Sequence, residues 1–158
     1  MFAVDCGNRL RAKTWLLAII ACLLLLVTGC GSPPATARVT QVIDGDTIVI
    51  EGGYRVRYIG IDTPELYPEP EAYAVEAWQA NRNLVEGREV RLERDVSETD
   101  KYGRLLRYVY VGEVMVNAEL VRRGLAWAKA YPPDTKYQAY LEELEREAKY
   151  AGRGMWAK

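Results

Sequence analysis

From Arg38 onward the chain alternates between apolar and polar positions. In ARVTQVIDGDTIVIEGGYRVRYIGI, valines and isoleucines recur along short runs broken by Asp-Gly and Gly-Gly. That pattern predicts three consecutive antiparallel strands, over Arg38–Ile43, Thr47–Glu51 and Tyr54–Ile59. The spacing then changes. Ala74, Ala77, Trp78, Asn81, Leu84 and Val85 recur at helical intervals, and Gly87 suits the stop. Alternation returns in REVRLERD (Arg88–Asp95), a fourth strand. It returns again in LLRYVYVGEVMV (Leu105–Val116), a fifth with a turn at Gly112. NAELVRRGLA reads as a short helix with Asn117 as its cap and Gly124 as its end. A last helix follows Pro133, with Asp134 as the expected cap. It places Tyr137, Tyr140, Leu141, Leu144, Ala148 and Ala151 on one face.

The order is β-β-β-α-β-β-α-α, mainly β with α. Five short strands with a helix between the third and fourth predict a small closed barrel of the oligonucleotide/oligosaccharide-binding (OB) type, with three helices. The N-terminal segment follows a different rule. Basic RLRAK (Arg9–Lys13) precedes the apolar run TWLLAIIACLLLLV (Thr14–Val27) and then TGCGS. This is the layout of a secretory signal. The run is about 14 residues, short of the about 20 that a membrane span needs. Val27-Thr28-Gly29-Cys30 resembles a bacterial lipobox, in which Cys30 is lipidated and becomes the new N-terminus. The alternative is an ordinary signal peptide. The expected division is a removed signal over residues 1–29, a lipidated Cys30 and tether over 30–37, and the folded domain over 38–158. The protein is then exported and held at the cell envelope through its lipid, outside the cytoplasmic membrane.

Composition narrows the chemistry. The chain has no histidine and three cysteines, Cys6, Cys22 and Cys30, none of them in the folded domain. A disulfide and a Cys/His zinc site are therefore excluded there. Three of the 21 cationic and one of the 22 acidic residues fall within residues 1–29, so the remainder carries net charge −3. That is not the field of a protein that coats nucleic acid. A polyanionic substrate must be held by a few placed cations, helped by a metal ion.

Two acidic turns stand out, VIDGDT (Val42–Thr47) and IGIDTPE (Ile59–Glu65). Each reads singly as a turn. Together they place Asp46 and Asp62 at strand margins of one sheet. Two hard carboxylates, a backbone carbonyl at Thr63 and water form a set that Ca2+ accepts. Arg55 and Arg57 share one face of their strand, opposite Tyr54, Val56 and Tyr58. An arginine facing the barrel interior needs an anionic partner; two exposed edge arginines are the alternative. DKYGR (Asp100–Arg104) is a turn flanked by Lys101 and Arg104, readable also as a solvated loop.

VIDGDT, R…GIDTPE, DKYGR, NAELVRRGLA and GRGMW occur here in one order and spacing. In this the chain resembles the staphylococcal nuclease-like family, the thermonucleases, over Arg38–Trp156. The resemblance implies an OB-type barrel with three helices. It also implies a Ca2+-dependent phosphodiesterase acting on DNA and RNA that leaves 3′-phosphate ends. By motif, Asp46 and Asp62 fall on the family's calcium carboxylates, Thr63 on its carbonyl ligand and Asp44 on a supporting carboxylate. Glu65 matches the general base. Arg57 and Arg104 match the phosphate-binding arginines, and Lys101 and Tyr102 match residues that touch the substrate phosphate. The roles are physically coherent. Ca2+ and two guanidiniums neutralise charge growing on the phosphoryl oxygens. A carboxylate orients the attacking water, and no two-histidine mechanism is possible.

The resemblance is imperfect in two places. The family prototype carries a lysine-rich loop after its DTPE motif, whereas LYPEPEAYA (Leu66–Ala74) is short and acidic. The stacking tyrosine after GLA is out of register, and Tyr131 is the nearest candidate. The expected protein is a monomeric, lipid-anchored nuclease. A non-catalytic OB module that binds nucleic acid or protein is the second reading, and a structural envelope lipoprotein the third.

Overall fold

The computed structural model describes residues 33–157. The apolar N-terminal run and Cys30 lie outside the described residues. Within them the order is β1 (Thr36–Val42), β2 (Thr47–Ile50), β3 (Arg55–Tyr58), β4 (Ile61–Asp62), α1 (Ala74–Val85), β5 (Glu89–Glu93) and β6 (Leu105–Val111). There follow β7 (Val114–Met115), α2 (Val116–Arg122), β8 (Trp127–Ala128), α3 (Gln138–Tyr150) and a 3-10 turn over Gly154–Trp156.

Antiparallel pairing links β3 to β2, β2 to β1, β1 to β5 and β5 to β6. A parallel pairing of β3 with β6 then closes the ring, with Val56 opposite Leu105 and Arg57 opposite Leu106. The result is the expected five-stranded barrel with three helices. Closure removes the open edges that a five-stranded sheet would otherwise present. Val39, Ile48, Ile50, Val56, Val90 and Val109 point inward and are fully buried. Ala77 and Val85 of α1, Leu120 of α2 and Leu141 of α3 seal the same core.

Several local expectations are corrected. The first strand starts at Thr36 rather than Arg38, because Thr36, Ala37 and Arg38 pair with Arg91, Val90 and Glu89 of β5. The fifth predicted strand is a hairpin, β6–β7, that turns at Gly112. Asn117 is no cap. The helix starts at Val116, and the Asn117 amide accepts from Val109 N–H and donates to the Ile59 carbonyl, both at 2.9 Å. Asp134 is no cap either. Its carboxylate takes the N–H groups of Val96 and Ser97, at 2.9 and 2.7 Å, and α3 starts only at Gln138. On α3 the buried face is Leu141, Leu144 and Ala148, while Tyr140 and Ala151 are exposed. The two-residue ribbon of β4 with β8 was not expected. It pairs Ile61 with Ala128 and Asp62 with Trp127.

Two glycines explain why two distant motifs belong together. Gly124 ends α2 at φ 70°, and Gly154 opens the final turn at φ 54°. A side-chain carbon on Gly124 would lie 2.1 Å from the Arg153 carbonyl oxygen, and one on Gly154 would lie 2.3 Å from that of Gly124. Only glycine permits so close a backbone approach, which Met155 N–H seals on Gly124 O at 2.9 Å.

Candidate active site

The two acidic turns are bolted to each other. The first is shaped locally, by Asp44 accepting the Asp46 N–H at 2.9 Å. Asp46 is 5% exposed. One of its oxygens accepts both the backbone N–H and the hydroxyl of Thr63, at 3.0 and 3.1 Å. The other accepts the Thr47 hydroxyl at 3.2 Å. A side-chain carbon on Gly45 would meet the Thr63 hydroxyl at 2.6 Å, so the glycine of DGD leaves room for the second turn. From α1, Asn81 donates to the Asp44 carbonyl at 3.0 Å and accepts the buried Tyr58 hydroxyl at 2.8 Å. The helix thereby fixes the turn that carries Asp46.

Arg57 joins the two carboxylates. Its two terminal nitrogens reach Asp46 Oδ2 and, at 2.6 Å, Asp62 Oδ1. The other Asp62 oxygen is held by Lys129 Nζ at 2.7 Å. Burial pushes the Asp46 carboxyl up to about 7; Arg57 pulls it down and Asp44 pushes it further up. Burial also works against the Arg57 charge, but Asp46 and Asp62 outweigh it and raise its pKa. Two carboxylates, one of them buried, thus share a single guanidinium.

Beside Arg57 opens a cleft of about 240 Å3, lined also by Arg104, Asp100, Leu106, Tyr131 and Asp134. The parallel β3–β6 pairing produces this proximity, because Arg104 immediately precedes the residue opposite Val56. Asp100 holds the DKYGR turn. It accepts the N–H groups of Tyr102 and Arg104, each at 2.9 Å, and the Arg104 Nε at 2.7 Å. Burial raises the Asp100 pKa, but these bonds outweigh it and lower the carboxyl below its usual value. The turn is thus a device for aiming Arg104. Lys101 and Tyr102 are exposed beside it, with the Lys101 ammonium 4.9 Å from the Tyr102 ring centre.

Glu65 is exposed and does not line this cleft. Its backbone is nevertheless fixed, because its N–H donates to the Glu71 carboxylate at 3.0 Å. The acidic loop therefore spends one of its carboxylates on structure. Sequence reasoning assigned no role to Glu71 or Lys129. Glu71 stood out only as unfavourable charge. Lys129 sits in AWAKAY, next to a strand too short to announce itself.

Among the described residues no group of three or more His, Cys, Asp or Glu side chains is placed to hold a metal. The donors that converge are Asp46 and Asp62, brought to adjacent nitrogens of one guanidinium, with Thr63 beside them. All are hard oxygens. Two carboxylates share one guanidinium, and such a pair of hard oxygen donors fits a weakly held hard cation completed by water.

A closed OB-type barrel that sets two guanidiniums in one cleft, one of them on a carboxylate pair, is built to handle phosphodiesters. The comparisons agree. Residues 55–158 match the family model described as staphylococcal nuclease homologue. The thermonuclease of Staphylococcus hyicus is 39% identical over 128 residues, 77% of this chain and 76% of that protein. The thermonuclease of Staphylococcus intermedius is 42% identical over 124 residues, 75% of this chain and 74% of that one. Endonuclease YncB of Bacillus subtilis (strain 168) is 42% identical over 127 residues, 75% of this chain and 60% of that protein. The chain belongs to the staphylococcal nuclease family and is a nuclease.

Proposed function

We propose that the protein is a Ca2+-dependent phosphodiesterase that hydrolyses DNA, RNA or both and leaves 3′-phosphate ends. The observation that carries this reading is the fork of Arg57 on Asp46 and Asp62 beside the cleft that holds Arg104. Asp46, Asp62 and the Thr63 carbonyl would hold the cation, with Asp44 shaping the turn that carries Asp46. When bound, Ca2+ supplies positive charge to a phosphoryl oxygen and to the attacking water.

The chain's own residues do the rest. Arg104 presents its terminal nitrogens, and Arg57 its positive charge, to the equatorial phosphoryl oxygens, where negative charge grows toward the five-coordinate transition state. Asp100 keeps Arg104 aimed. Glu65, on its anchored turn, accepts the proton of the attacking water. Tyr131, Lys101 and Tyr102 hold flanking nucleotides by stacking and charge. The test is incubation of the purified protein with single-stranded DNA in Ca2+ or in EGTA, following fragment length. Cleavage in Ca2+ alone is expected. Full cleavage in chelator overturns the calcium reading, and binding without cleavage in either moves the protein to the binding-module class.

The location is proposed from the sequence. Cys30, closing an apolar run and followed by a Pro- and Ala-rich tether, supports a lipid-anchored, exported protein. Cys30→Ser is expected to leave the protein unprocessed at the lipobox and out of the detergent phase. An unchanged membrane fraction overturns the anchor.

A further inference from the structure

Asp62 holds a cation on each oxygen, and the two cations differ in how firmly they are placed. Arg57 is 13% exposed and bound to two carboxylates. Lys129 is 50% exposed and paired with one carboxylate, that of Asp62. Its backbone is fixed, since Lys129 N–H donates to the Gly60 carbonyl at 2.9 Å, next to the β4–β8 ribbon. Its ammonium is not. It lies 2.7 Å from Asp62 and also 5.4 Å from the centre of the Tyr131 ring, which lines the cleft. A half-exposed lysine on a flexible stem is the easily exchanged member of such a cluster.

We infer that Lys129 is an exchangeable counter-ion, which neutralises Asp62 in the metal-free protein, competes with Ca2+ for that carboxylate, and moves to the substrate phosphate once the carboxylate is taken. The inference rests on the calcium reading above. The ammonium sits on Asp62 Oδ2, and a dication held by the same carboxylate would lie a few ångströms from that charge, so each weakens the other there. The ammonium already lies 5.4 Å from the centre of the Tyr131 ring, so release from Asp62 leaves it on the Tyr131 side of the cleft. There it would add a third cation to Arg57 and Arg104. No bond is made or broken; the exchange is of ion pairs.

Lys129→Met keeps the apolar stem and removes the charge. Ca2+ affinity measured by calorimetry without substrate is expected to tighten about tenfold, from the loss of one positive charge a few ångströms from a dication. The affinity of a short single-stranded oligonucleotide is measured in saturating Ca2+, in a Glu65→Gln background to prevent cleavage. It is expected to weaken, with the slope of log K against log[salt] falling by about 0.7. The opposite signs discriminate, because a lysine with only a structural role would weaken both. Unchanged or weaker Ca2+ binding in Lys129→Met overturns the competition, and an unchanged salt slope overturns the move to phosphate. If the parent protein itself binds no Ca2+, the calcium reading fails and this inference falls with it. If it binds Ca2+ and Lys129→Met binds equally, this inference alone fails.

Discussion

Glu71 and Glu65 are bound reciprocally: the Glu65 N–H donates to the Glu71 carboxylate at 3.0 Å, and the Glu71 N–H donates to the Glu65 carbonyl at 2.9 Å. The five residues between them are thereby closed into a loop whose base carries the proposed water-activating carboxylate. Glu71→Ala removes the acceptor and loosens that base. Turnover is expected to fall about tenfold from the loss of orientation. KM and Ca2+ affinity should change little, and Glu71→Gln, which keeps a side-chain oxygen, should retain most activity. Steady-state kinetics with Ca2+ titration checks this; an equal loss in both variants would mean that charge, not anchoring, is the contribution.

Arg57 and Arg104 differ in what they do before substrate arrives. Each is expected to lose about 10²–10³ in kcat on change to Ala. Arg57→Ala also strips Asp46 of its compensating charge, so the calcium-free protein should lose on the order of 2 kcal/mol of stability. Added Ca2+ should recover much of it. Arg104→Ala should show no such calcium-dependent recovery. Urea unfolding with and without Ca2+ separates the two, and Asp100→Ala should mimic a partial loss of Arg104.

Lys101, Tyr102 and Tyr131, in the proposed function, touch the nucleic acid in the same way before and during reaction. Their substitution by Ala is expected to raise KM and leave kcat near its original value. Tyr131 lines the cleft whereas Tyr102 is 72% exposed, so Tyr131→Ala should have the larger effect. A fall in kcat without a change in KM for Tyr131→Ala would contradict this role.

Acid stability should depend on Glu93. Burial raises its pKa, but bonds from Lys136, Tyr137 and Arg91 outweigh it and hold the carboxyl at about 2, against an ordinary 4.5. A depressed carboxyl stabilises the fold fully above its unfolded pKa and loses that contribution as pH falls through its folded one. The window here runs from about 4.5 down to about 2. Glu93→Gln is expected to lower the urea midpoint at neutral pH and to flatten its decline within that window. Parallel curves for the two proteins would refute the assignment.

The legible parts of this molecule were those with local causes. Asp-Gly and Gly-Gly breaks marked the first three strands, and the spacing of Ala74, Ala77 and Asn81 marked α1. The acidic turns could be read as neighbours because both ended strands of one sheet. What escaped had distant causes. Asn117 looked like a cap because asparagine often is one, yet its partners are Val109 and, far back in the chain, Ile59. Asp134 likewise serves Val96 and Ser97. Lys129 could not be placed on Asp62 without the ribbon that carries both, and two-residue strands leave no periodicity to detect.

The parallel closure of β3 on β6 has a kinetic consequence. It is the pairing that sets Arg57 beside Arg104, and it joins segments separated by the second acidic turn, β4, α1 and β5. Such long-range closure must meet its loop entropy before its contacts repay it, and is expected late in assembly. The juxtaposition of Arg57 and Arg104 is therefore expected only once the ring has closed. A nuclease arranged this way has its own safety catch: it is harmless to nucleic acid until the ring has shut.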